Sequence, residues 1–315
     1  MKRKKFGLIK GIITFLLLVT LIALFYMLYL NISEINAVSI PFIQNPTPNP
    51  NQSSYSGYLQ FYSNMRFPST RISYNIQDSC PKAKKTRMLE AFSRLENETN
   101  LLKFSESSEP EIFITCQETQ EEIPGKYFIA GEGGPTEIIN ASAFYIIEQG
   151  KVLLLYAKTD CNNYNIALHE LLHVFGFEHS TNKESIMYNL TLCNQIITND
   201  ITNELKRLYS IPELPDLIFS SVTALKHGSY LDFNVEIKNQ GLAESENASI
   251  DVYTKNSVEE KIDQFGLGSI NYGEGKYLEV KNIKIDRNTK SLKFVLIDGK
   301  EINQGNNIAE LFLPD

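Results

Sequence analysis

The sequence predicts two folded units behind one membrane-spanning helix: an α+β domain over residues 59–214 and an antiparallel β-sandwich over 215–315. Three observations carry that division. Between 59 and 214, alternating apolar runs are interleaved with segments of helical period, whereas from Asp216 onward only short alternating runs separated by turn clusters occur. The stretch Gly11 to Leu30 is twenty residues without a charge, long enough to cross a bilayer as a single helix. With 315 residues there is room for both units after that span.

Residues 1–10 form a basic tail whose Lys2-Arg3-Lys4-Lys5 run precedes the span. Positive charge on that flank places the N-terminus in the cytoplasm and everything after Leu30 outside. A cleaved signal peptide is the competing reading, with Ile35-Asn36-Ala37 as its cleavage site. The apolar core of 11–30 exceeds the roughly 7 to 15 residues usual for such peptides, which favours a retained anchor. Residues 31–58 are read as a linker, because Ile43 to Tyr58 is rich in Pro, Asn and Ser and shows no apolar period. A formal charge of -7 and a pI near 5.3, with Lys2 to Lys5 the only dense basic cluster, argue against nucleic acid as a partner.

Four cysteines in an exported chain suggest two disulfides, and the sequence allows three pairings. Cys161 with Cys193 is preferred, because the two bracket a histidine-bearing helix. Cys80 with Cys116 is then the remaining pair, by elimination.

Within 59–214, Arg71 to Ile76 alternates like a strand, and Pro81 to Asn97 carries Met88, Phe92 and Leu95 at helical spacing behind a proline start. Leu101 to Phe104 and Glu111 to Cys116 are short strands. Gly131 to Gly134 reads as a glycine-rich loop, and Ala143 to Ile147 with Val152 to Tyr156 as a hairpin turning at Glu148-Gln149-Gly150-Lys151. Thr198-Asn199-Asp200 offers caps to a helix bearing Ile201, Leu205 and Leu208, ended by Pro212 and Pro215.

Three of the four histidines fall in the run His169-Glu170-Leu171-Leu172-His173-Val174-Phe175-Gly176-Phe177-Glu178-His179. On a helix His169 and His173 share one face, so both imidazoles can address one metal. Leu168, Leu171, Leu172 and Phe175 give the same helix an apolar face to bury. Gly176 can take the left-handed conformation that ends the helix and returns His179 to the site. Three imidazoles leave a position open, which is the arrangement of catalytic zinc, whereas structural zinc is usually closed by four ligands. Glu170 lies one position round, suited to act as general base toward a water at the metal. These residues point to Zn2+ and to metal-assisted hydrolysis.

The pattern H-E-x-x-H-x-x-G-x-x-H, with Ser180 and then Met187-Tyr188 after it, resembles the metzincin zinc peptidases, and among them the matrixins. The resemblance implies a twisted five-stranded mixed sheet under the zinc helix, peptide or protein substrates, and Met187 as a hydrophobic floor beneath the metal rather than a ligand. It also implies an antiparallel edge strand that pairs with extended substrate, matched here by Ala143 to Ile147. The loop Asn189 to Ile197 would line the pocket beyond the scissile bond. No matrixin-like cysteine switch precedes the domain. The fourth histidine, His227, falls in a turn of the second unit and is read as solvent-exposed.

In that second unit the strand-like runs are Leu217 to Thr223, Tyr230 to Lys238, Ser249 to Thr254, Tyr277 to Ile283 and Ser291 to Ile297. The phrases Pro215-Asp216-Leu217, Val235 to Gly241 and Asn306-Asn307 resemble the immunoglobulin-like CARDB domains of cell adhesion. A cell-surface partner for the sandwich is therefore expected, and the sandwich is expected to be separable from the peptidase-like unit. Two other readings stay open: an adhesion protein with a vestigial zinc domain, and a zinc amidase acting on non-protein substrate.

Overall fold

The structure is a computed structural model describing residues 17–24, 35–41, 59–118, 121–123, 127–155, 164–256 and 258–313. Among these residues no helix is long and apolar enough to cross a membrane. Of the expected span, only 17–24 is described. It is helical, and its large apolar side chains, Leu17, Leu18 and Ile22 among them, are exposed.

The α+β domain is built on five main strands, Gly131–Asn140, Tyr145–Leu154, Ile112–Cys116, Arg71–Ile76 and Lys103–Glu106, side by side in that order. The last four run parallel and Gly131–Asn140 is antiparallel, while Met65–Arg66 adds a short parallel segment to Tyr145–Ile146. Helix Lys82–Thr99 buries Met88, Phe92 and Leu95, the apolar face read from its period, together with Ala91 and Thr99. It packs in one core with the helix Asn165–Val174 and with the closing helix Asn199–Tyr209, which buries Ile201, Leu205 and Leu208.

A buried arginine ties the start of this domain to its end. Arg66 is fully buried and donates to the carbonyls of Phe67 (2.9 Å), Pro68 (3.0 Å), Leu208 and Ile211 (3.2 Å), with its guanidinium 4.5 Å from the centroid of the Tyr209 ring. Two of those acceptors lie in the last turn of the closing helix and just past it. Burial lowers the Arg66 pKa, and the planar fork of donors offsets the desolvation.

The expected hairpin is corrected by the structure. No turn occurs at Glu148 to Lys151; Tyr145–Leu154 is one continuous strand, and the glycine-rich segment expected to be a loop is the edge strand Gly131–Asn140. The edge is therefore not Ala143 to Ile147. Glycine is needed here for packing, not turning. A Cβ on Gly133 would lie 2.0 Å from the Glu170 carbonyl oxygen, and one on Gly150 would lie 2.3 Å from Val174 Cγ1, so the histidine-bearing helix rests directly on strand backbone. The true turn is Ala141 to Phe144, closed by Ala141 N–H donating to the Phe144 carbonyl, with Ser142 at φ 69°.

The C-terminal unit is a sandwich of two four-stranded antiparallel sheets. One orders Ile35–Pro41, Glu274–Lys284, Tyr230–Asn239 and Leu217–His227; the other Glu259–Ile270, Ser245–Lys255, Ser291–Ile297 and Ile308–Phe312. Phe233, Phe265 and Phe294 meet edge to face in the core between them. Ile35–Pro41, inside the segment read as linker, is thus an edge strand of this sandwich. The three phrases singled out in the sequence converge. Asp216 accepts from Gln240 Nε2 (3.0 Å) and Asn306 Nδ2 (2.9 Å), Asn239 accepts from the Asp216 and Gly241 N–H groups, and Asn307 donates to Glu301 (2.7 Å).

The two units are not independent. Ala141, Phe144 and Ile146 of the α+β domain are buried together with Leu242 of the sandwich, flanked by Ile139, Ile211, Tyr272 and Ile302. Removing the sandwich would expose this cluster.

Candidate active site

The site is assembled by one helix and its exit. Asn165–Val174 ends with Gly176 N–H donating to the His173 carbonyl (2.9 Å) and Phe177 N–H to that of Leu172 (3.1 Å), the paired bonds of a Schellman motif, with Gly176 at φ 82°. That turn brings His179 back to the helix. The three Nε2 atoms converge: His169 to His173 is 3.1 Å, His173 to His179 is 3.2 Å and His169 to His179 is 3.3 Å. Among the described residues this is the group of metal-ligating side chains that could hold an ion.

Whether a zinc ion fits can be judged from the far side of each ring. His169 Nδ1 lies 2.7 Å from the Ile186 carbonyl and His173 Nδ1 2.7 Å from that of Phe177. A carbonyl only accepts, so each Nδ1 carries the proton and each Nε2 presents a lone pair to the centre. Burial reinforces neutrality, holding His169 down to about 4 and His173 to about 3, and lowering His179 as well. Three neutral imidazoles facing one point with no positive charge of their own are a zinc tripod. His169 and His173 are buried and His179 is exposed, so the site opens on the His179 side.

Glu170 is buried beside the tripod, 7% exposed, and stays out of the ligand group. Desolvation, then the charge of Glu132, push its carboxyl up to about 8. It lies against the edge strand, where a Cβ on Gly131 would meet its Cγ at 2.7 Å and its Oε1 at 2.9 Å. Gly131, expected in a loop, lies on a strand, and glycine at the alternate positions 131 and 133 on one strand face is the sequence signal of that packing.

Met187 is buried at 1% exposure, and the turn around it is held by Tyr188 N–H to the Ser185 carbonyl (3.0 Å) and Ser180 N–H to the Met187 carbonyl (2.7 Å). The loop after it is organised by buried Gln195, which donates to the Leu190 carbonyl (2.8 Å) and accepts from Leu192 N–H (2.9 Å), while Asn165 reaches across to the Leu192 carbonyl (2.8 Å). Leu190, Leu192 and Ile196 stay exposed on it. Phe61 stacks on the His173 ring at 6.0 Å and 12°, held by Phe61 N–H to the Gly176 carbonyl. Nothing in the sequence marked it, because it sits outside any periodic element.

His227 stands apart, exposed, with Nε2 3.4 Å from Asp232, as expected of a non-ligand. Cys80 and Cys116 are disulfide-bonded with Cα atoms 5.2 Å apart. Cys193 is also disulfide-bonded, and its expected partner Cys161 lies outside the described residues.

A mixed sheet with an antiparallel edge, a helix carrying two ligands, a glycine turn returning the third and a buried methionine turn define a zinc metallopeptidase domain. Residues 66–210 match the family model described as Matrixin. No curated protein matches the chain. Among solved structures it is similar to high choriolytic enzyme 1, a hatching enzyme zinc-protease from Oryzias latipes (18% identity, 38% of this chain and 52% of that one, TM-score 0.25). It is also similar to the CARDB domain of a Pyrococcus furiosus protein in complex with di-metal ions (18% identity, 32% of this chain and 88% of that one, TM-score 0.25). The chain thus spans about half the length of the hatching enzyme.

Proposed function

We propose that the chain is a zinc-dependent endopeptidase whose general base is Glu170. The observation that carries this reading is the convergence of three neutral Nε2 atoms beside a buried carboxyl that does not join them. Zinc held by His169, His173 and His179 supplies Lewis acidity toward a substrate carbonyl and a water. Glu170 accepts the proton of that water at its carboxylate and passes it to the departing amine, a role favoured by a pKa near neutrality. The edge strand Gly131–Asn140 is hydrogen-bonded on one side to Tyr145–Leu154, and its other side suits an extended peptide. Leu190, Leu192 and Ile196 give the loop beyond Met187 an apolar wall for a substrate side chain.

The domain is placed outside the cell on an anchor at 11–30, with the N-terminus in the cytoplasm. Support comes from the uncharged run, the basic flank and the exposed apolar side chains of 17–24. The sandwich is assigned a cell-surface or substrate-side partner by the CARDB-like phrases alone. Cleavage of a mixed peptide library by zinc-loaded protein, abolished by Glu170→Gln with zinc retained, tests the enzymatic reading. Equal inertness of both proteins at full zinc occupancy would reject it in favour of the adhesion alternative.

A further inference from the structure

The hairpin that carries the edge strand is contacted at both ends. At one end Gly131 and Gly133 lie against Glu170; at the other, Ile139 and the turn 141–144 lie against the sandwich. Its middle is irregular. The register runs Pro135 to Gly150, Glu137 to Gln149 and Ile138 to Ile147, so Thr136 on one strand and Glu148 on the other are left without a partner opposite. Such bulges bend a strand pair and re-aim the residues beyond them. The bend separates a half that lies under the zinc helix from a half that reaches the sandwich. From Gly133 to Ile139 the strand covers about 20 Å at about 3.3 Å per residue.

The sandwich grips the bend itself. Tyr272 donates its hydroxyl proton to Glu148 Oε1 at 2.7 Å, and Glu148 is the unpaired bulge residue. Beside it Gly273, at φ 73°, lets Ile139 approach so closely that a Cβ there would sit 2.2 Å from Ile139 Cγ2. Gly273 N–H donates to the Asn239 carbonyl (2.9 Å), anchoring this turn in the polar network that gathers the three sandwich phrases.

We propose that Tyr272 and Gly273 are positioning residues for the edge strand Gly131–Asn140, so that the sandwich sets the direction in which the active site receives an extended peptide. The substrate half of this claim rests on the endopeptidase reading above; the mechanical half does not. Tyr272 and Gly273 touch neither the tripod nor Glu170, and act through the hairpin.

The test uses the full chain and its variants Tyr272→Phe, Glu148→Leu and Glu148→Gln. Tyr272→Phe keeps the ring and removes the donor; Glu148→Gln keeps an acceptor for Tyr272 and Glu148→Leu does not. Hydrogen exchange of the 131–140 amides is measured together with zinc content, melting temperature, and kcat and KM on an extended peptide. Tyr272→Phe and Glu148→Leu are expected to exchange several-fold faster over 131–140 and to raise KM about three- to tenfold, with zinc content and kcat held and Glu148→Gln near wild type. A purely stabilising contact would lower the melting temperature and leave KM alone. Unchanged exchange over 131–140 in both variants overturns the proposal, as does faster exchange with unchanged KM. If zinc-loaded wild type cleaves nothing, the endopeptidase reading fails, and the exchange data alone decide whether the sandwich sets the strand.

Discussion

His169 Nδ1 and the carbonyl oxygen of Ile186 lie 2.7 Å apart, which couples the first ligand to the residue just before Met187. The methionine turn therefore orients a ligand through its backbone while its side chain stays in the core. His173 is oriented in the same way by Phe177, on the other side of the helix exit. Ring orientation and tautomer are thus set by main chain that cannot be changed by single side-chain substitution.

Metal loading checks the tripod. The chain should bind one zinc, and His179→Ala should weaken it by orders of magnitude, whereas His227→Ala, whose ring is exposed beside Asp232, should leave affinity unchanged. Stoichiometric tight zinc in His179→Ala, measured by chelator competition, would overturn the ligand assignment.

Glu170→Gln should retain zinc and fold while lowering kcat/KM by about 10²-fold or more, because it keeps the shape and removes the base. Steady-state kinetics at full zinc occupancy gives the answer; a variant as active as wild type would rule Glu170 out.

In the metal-free protein the same residue should shape stability against pH. Its folded pKa, about 8, lies above the ordinary 4.5, so the folded state holds the proton more tightly. This contribution is fully present below about 4.5 and is lost as pH rises through about 8. His169 and His173 act oppositely: with folded pKa values of about 4 and about 3 against 6.5, their contribution is present above 6.5 and lost as pH falls through those values. From pH 6.5 to 8, where the histidines are neutral in both states, denaturant midpoints should fall with pH in wild type and stay nearly level in Glu170→Gln. Parallel curves would contradict the burial argument.

Packing of the helix on the sheet predicts a compensating pair. Gly150→Ala should cost about 1–3 kcal/mol, since its methyl would enter the space of Val174 Cγ1, and Val174→Ala in the same chain should recover part of that. Additive losses in denaturation would show that the contact is not the cause.

Arg66→Lys should destabilise by about 2–4 kcal/mol despite conserving charge, because an ammonium cannot satisfy the spread of carbonyls that the guanidinium reaches. A change in melting temperature within error would refute this.

What the sequence made legible was local. The tripod could be read because His169, His173, Gly176 and His179 are linked by one helix and one turn, and the apolar faces of Lys82–Thr99 and Asn199–Tyr209 announce themselves by period. The edge strand could not, because its glycines carry no side-chain alternation and the reason for them, Glu170, lies far along the chain. Strands Glu259–Ile270 and Ile308–Phe312 escaped notice because each sits at a sheet edge with charged residues in the run. The contact of Tyr272 with Glu148 joins segments that share no local signal, so only the fold reveals it.

The pairing of Ile35–Pro41 with Glu274–Val280 sets an order of events during synthesis. A ribosome adding about 5–20 residues per second needs on the order of tens of seconds to travel from one strand to the other. Throughout that interval the early strand has no partner, although the whole peptidase domain is synthesised within it. The sandwich is then finished after translation, by a segment that has waited since the start. Closure across so long a loop is slow, and until it occurs the edge of Glu274–Lys284 presents open backbone to any neighbouring chain.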